Sequence, residues 1–195
     1  MRQLEEAGFT DSQAAFKRII DLKRGPQVRA MQRMGRERLD GFMPRLLAQA
    51  AEHAQPDRVL ERVMPLVEKV VRRSAYLVLL SENPGAMQRL ISLCAASPWI
   101  SEQIARFPLL LDELLTPALH TPPDWPTVEA QLHNELAHAM LESATPDVER
   151  QMDILRETQH AQVFRLLAQE LDGLWSVEQL ADHLSELTDI LLRQA

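Results

Sequence analysis

Apolar positions along the chain recur at steps of three and four and almost never at steps of two, the spacing of a helix that buries one face. Val59, Leu60, Val63, Leu66, Val67 and Val70 mark one such face within a helix predicted over 57–73. Val128, Leu132, Leu136 and Met140 mark a second, within 127–142, and Val177, Leu180, Leu184, Leu187 and Leu191 a third, within 177–193. A helix over 12–24 follows from Thr10-Asp11 as a cap, with Phe16, Ile19 and Ile20 on its apolar side and Gly25 expected to end it in a left-handed conformation. The stretch 27–54 reads as one short and one long helix, with Gly35, Gly41 and Pro44 opposing continuity. Residues 76–80 are apolar all round and belong in a core, and three short helices led by proline follow over 85–96, 99–107 and 109–115. The long segment 147–172 loses its apolar rhythm at Thr158-Gln159-His160-Ala161-Gln162 and regains it at Val163, as a solvated turn or a seam against another domain would.

The fold class that results is all-α, a multi-helix bundle in two subdomains without a sheet. Thr116 to Pro126 holds four prolines, so the division falls into a helical subdomain at 1–115, a proline-rich linker at 116–126 and a three-helix segment at 127–195. Composition agrees: there are only 6 glycines and 5% aromatic residues beside abundant helix formers, and most of the 12 prolines stand where a helix begins.

A net charge of −7, spread along the whole length, argues against nucleic acid as a partner. The single cysteine, Cys94, precludes an internal disulfide, and the apolar runs are too short to cross a bilayer or to form the core of a signal peptide. A cytoplasmic protein with no membrane partner is the expectation.

Catalytic, cofactor-binding and metal-binding residues are not found in the pattern. His133 and His138 stand five apart, not the four of the zinc-binding His-Glu-x-x-His, and so diverge by about 140° around a helix. Glu129 and His133 are spaced as an ordinary surface pair. The glycines are isolated, which rules out a phosphate-cradling loop. No two aspartates stand two apart, as paired metal ligands on a strand often do. Cys94 has no basic residue beside it in sequence and is expected to be a buried, inert thiol. Trp99 and Phe107 read as core packing, with a binding groove as the alternative, and Lys69, Arg72 and Arg73 as a solvated helix face. A site made by folding would require His133, His160 and His183 to converge.

Two stretches carry a family resemblance. Glu82-Asn83-Pro84-Gly85-Ala86-Met87-Gln88-Arg89-Leu90, and Ala96-Ser97-Pro98-Trp99-Ile100 through Ala105-Arg106-Phe107-Pro108-Leu109-Leu110-Leu111-Asp112-Glu113-Leu114-Leu115, resemble the bifunctional glutamine synthetase adenylyltransferase and adenylyl-removing enzymes of bacteria. Glu6 to Asp11, Gln159 to Val163 and Ser176 to Leu192 are similar less strictly. The resemblance implies a central helical region between two nucleotidyltransferase domains, one attaching AMP to glutamine synthetase and one removing it. ATP and Mg2+ are implied for those domains, and glutamine synthetase, the PII signalling protein and the flanking domains as partners, with the helical region holding the two domains in register and passing the signal of glutamine and the PII protein between them. Neither copy of the family's Asp-x-Asp motif is present, so a helical linker and regulatory fragment without a catalytic centre is expected. The alternative is a free-standing helical scaffold or adaptor.

Overall fold

The computed structural model describes residues 1–141 and 144–195. Among them the secondary structure is helical throughout, with one isolated antiparallel bridge between Met140 and Pro146 and no strand. The chain divides into two compact units, Met1–Leu114 and Leu115–Ala195.

The first unit comprises α1 (Arg2–Glu6), α2 (Ser12–Arg24), α3 (Pro26–Arg29), α4 (Arg33–Ala51), α5 (Pro56–Val70), α6 (Ser74–Glu82), α7 (Pro84–Ala96) and α8 (Pro98–Arg106), then a 3-10 helix, Pro108–Leu115. Helix α5 is its centre, packing against α2, α4, α6, α7 and α8. All six apolar positions anticipated on its inner face are buried, each at 1% exposure or less. Proline opens α3, α5, α7 and α8, where a missing N–H costs no hydrogen bond.

Several expectations need correction. Gly25 is extended (φ −60°, ψ 148°) rather than left-handed, because Pro26 follows and excludes helical conformations from the residue before it. Pro44 lies within α4 and Pro65 within α5 without ending either helix. Both are exposed, so the carbonyls they deprive of a partner face water. Residues 109–115 wind as a 3-10 helix rather than an α-helix. Of the apolar stretch 76–80, only Leu77 and Leu80 are fully buried. On α2, Phe16 is exposed and Ile19 and Ile20 are half-buried, while Ser12, Ala15 and Leu22 face inward.

The second unit holds a 3-10 turn, Pro117–His120, followed by α9 (Trp125–His138), α10 (Val148–Leu171) and α11 (Val177–Gln194). Its core gathers Trp125, Leu132, Leu136, Ile154, Leu166, Leu187 and Ile190. Within 116–126, Leu119 and Trp125 are buried and the 3-10 turn packs on α10. Helix α9 ends at His138; its anticipated last residue, Glu142, lies outside the described residues. Each unit uses one glycine for the same helix stop. After α1, Gly8 (φ +103°) lets Phe9 N–H reach Leu4 O and Gly8 N–H reach Glu5 O. After α10, Gly173 (φ +79°) lets Leu174 N–H reach Gln169 O and Gly173 N–H reach Glu170 O, a Schellman closure in both places.

Candidate functional site

The most organised polar grouping is in the second unit, around Gln169. This side chain sits in the apolar run Leu166-Leu167-Ala168-Gln169 of α10 and is 1% exposed. Its amide nitrogen donates to Ala118 O at 3.0 Å and Thr121 O at 2.7 Å, and its oxygen accepts from Trp175 Nε1 at 3.0 Å. One carboxamide thus ties the proline-rich segment and the α10–α11 turn to a central helix, with both donor hydrogens and the acceptor in use.

Beside it, His183 of α11 lies against two indoles, with ring centroids 4.5 Å from Trp175 and 5.9 Å from Trp125. Trp125 Nε1 donates to His183 Nδ1 at 3.2 Å, which places the proton of the neutral imidazole on Nε2. A cavity of about 230 Å³ adjoins the cluster, bounded in part by Thr127, Gln131, Gln162 and Arg165. Gln162 is buried, so the interruption at 158–162 is not a solvated turn.

The three histidines required for a folded metal site have separate surroundings. His133 Nδ1 meets Gln194 Oε1 at 3.1 Å, His183 is enclosed by tryptophans, and His160 is half-buried elsewhere on α10. His138 hydrogen-bonds Asn134 O within its own helix at 2.7 Å. The Glu129–His133 pair does not form. Glu129 instead accepts from Arg193 Nε of α11 at 3.0 Å, and that bond holds its carboxyl below the usual carboxylate range. Among the described residues no three His, Cys, Asp or Glu side chains group so as to hold a metal ion.

Cys94 is fully buried, and burial pushes its thiol up to about 11 against smaller opposing effects of Ser101 and Arg62. A basic residue is nearby after all, contributed by another helix. Arg62 Nη1 of α5 donates to Cys94 O at 2.9 Å and Ala95 O at 2.6 Å, capping the end of α7. Asp57, at the start of α5, accepts Thr10 N at 2.9 Å, Thr10 Oγ1 at 2.6 Å and Asp11 N at 3.1 Å. Burial raises its pKa, but these bonds together outweigh it and hold the carboxyl below its ordinary value. Burial, and then the Asp112 carboxylate, raise Tyr76. Trp99 corrects the packing expectation: it is 43% exposed, whereas Ile100 and Ile104 of the same helix are buried. Phe107 is half-buried beneath the Arg106 guanidinium, 5.2 Å from its ring centre.

Sequence reasoning missed Gln169, Trp125, Trp175, Arg62 and Asp57. For Gln169 a signal existed, since a lone amide at a core-facing position of an apolar run must find partners or be costly. Trp125, Arg62 and Asp57 act across segments far apart in sequence, of which spacing along the chain carries no trace, and Trp175 acts from the turn after α10 on Gln169 six residues before it.

Residues 87–195 match the family model of glutamate-ammonia ligase adenylyltransferase. The bifunctional glutamine synthetase adenylyltransferase/adenylyl-removing enzyme of Pseudomonas aeruginosa is 55% identical over 192 residues, which are 98% of this chain and 19% of that protein. Its namesake in Pseudomonas putida is 53% identical over 99% of this chain and 19% of its own length, and that of Chromobacterium violaceum 43% over 99% and 21%. The chain therefore spans about a fifth of the length of these curated relatives. With more than half of its residues inside the family model, the chain belongs to the glutamate-ammonia ligase adenylyltransferase family.

Proposed function

We propose that this chain is a helical connecting and regulatory segment of a bifunctional glutamine synthetase adenylyltransferase/adenylyl-removing enzyme, and that it supplies no catalytic centre. Its immediate partners are flanking nucleotidyltransferase domains, which carry the ATP and Mg2+ chemistry. Glutamine synthetase is the protein they modify, the PII protein the signal they receive, and the cytoplasm their setting. The observation that carries this reading is the use made of polar side chains inside the helices. Gln169, Arg62 and Asp57 are committed to backbone groups of other segments, the work of holding elements in register rather than of binding a reacting atom. Near-complete coverage of this chain by a fifth of much longer relatives is what a connecting segment would give.

A hybrid provides the test. This chain replaces the matching segment of the Pseudomonas aeruginosa enzyme, and AMP attachment and AMP removal are assayed beside the isolated chain. The hybrid is expected to retain both activities and the isolated chain neither. Turnover by the isolated chain that survives repurification would overturn the assignment, and a folded hybrid devoid of both activities would favour the free-standing scaffold.

A further inference from the structure

Helices α5 and α8 enclose a groove of about 430 Å³, largely apolar, with Pro65, Pro98 and Ala105 among its lining residues. Arg62, in its wall, bonds the carbonyls of Cys94 and Ala95 just ahead of α8. Lys69 and Arg106 also line it. From Pro98 to Arg106 α8 rises about 12 Å, room for roughly two turns of a docked helix.

The charges in the groove are unequally engaged. Glu61 is paired with Arg18 at 3.1 Å, and Arg62 is committed to the two carbonyls. Lys69 and Arg106 meet no carboxylate among the described residues, Arg106 resting only on the Phe107 ring. Against them stands the single carboxylate of Glu102. Trp99 shares a face of α8 with Glu102 and Arg106, being three and seven residues before them, and is 43% exposed. A large exposed indole next to an apolar groove, in which the two cations Lys69 and Arg106 outnumber the one carboxylate not engaged elsewhere, has the composition of an interface anchor.

We propose that the α5–α8 groove of the first unit is a docking site for an acidic, amphipathic helical segment of a protein partner, with Trp99 as the apolar anchor and Lys69 and Arg106 as the carboxylate contacts. The site goes beyond the connecting role and does not depend on it.

The test uses the 195-residue chain and two fluorescein-labelled helical peptides that share one leucine face, one carrying glutamates along its flank and the other lysines at the same positions. Saturable binding of the glutamate peptide is expected, weakened about tenfold or more by Trp99→Ala and again by Lys69→Glu with Arg106→Glu. The lysine peptide is expected to bind at least about tenfold more weakly at moderate salt. Because all three substituted side chains are exposed, Lys69 and Arg106 lining the groove and Trp99 standing next to its lining residue Pro98, circular dichroism melts should match the unsubstituted chain, which separates lost binding from lost folding. No saturation by the glutamate peptide below about 1 mM, equal affinity for the two peptides, or binding unchanged by either variant would overturn the proposal.

Discussion

The two units reach stability by different means. In the first, α5 presents an uninterrupted apolar face to five neighbouring helices, and apart from Ser12 and Ser101 its buried residues are apolar. In the second, α10 carries two buried glutamines, and one of them organises the unit by fixing two carbonyls and an indole. Burial of apolar area is tolerant of detail. A buried amide holds elements in one arrangement, because any other arrangement leaves its partners without hydrogen bonds. Apolar burial thus dominates the interior of the first unit, where Arg62 and Asp57 fix register only at helix ends, whereas in the second a buried amide sets register from within the core.

The largest expected effect comes from the first unit. Leu60→Ala should cost about 3 kcal/mol in urea unfolding, as truncation at a fully packed position does. In the second unit, Gln169→Leu should cost about 2 to 3 kcal/mol although it adds apolar character, since Ala118 O, Thr121 O and Trp175 Nε1 lose a partner together. Gln162→Leu sharpens the contrast: Gln162 makes no side-chain hydrogen bond with the described residues, so the change should be neutral within about 0.5 kcal/mol or stabilising. Equal costs for the two glutamines would remove the distinction between the units.

Asp57→Asn should cost about 1 kcal/mol at neutral pH, comparable to the loss of a helix cap. The folded-state pKa of Asp57 is depressed, so its contribution is fully present above the unfolded carboxylate value of about 3.9 and is lost as pH falls through the lower folded value. Unfolding curves of the two proteins should therefore converge in acid. Gly173→Ala is expected to have an effect of about 1 kcal/mol, set by the left-handed backbone, because nothing crowds a Cβ there.

The contrast also explains what could be seen in advance. Six of the buried positions of α5 were legible because its rhythm and its burial coincide, while Met64 and Pro56, also buried, were not singled out. The prolines opening α3, α5, α7 and α8 were equally plain. Pro44 misled because its cost depends on which side of the helix faces water, a tertiary fact. Gly25 misled because the neighbouring proline outweighed the glycine's own freedom. In the second unit the periodicity of α9 and α11 was visible, but the inner faces of α10 answer to several neighbours at once and show no single stripe. Trp99 looked like core because aromatic residues usually are, and exposure on a helix whose next residue is buried cannot be read from spacing.

The most direct measurement of the connecting role is a pair of assays on the folded hybrid enzyme carrying Gln169→Leu, taken well below its unfolding temperature. Rates of AMP attachment and AMP removal are followed at saturating substrate, with and without glutamine. If the helices hold register and supply no reacting group, both maximal rates should stay within about threefold of the parent while the response to glutamine shrinks. A loss of about a hundredfold or more in either maximal rate, with the glutamine response intact, would place this chain in the chemistry itself and contradict the assignment.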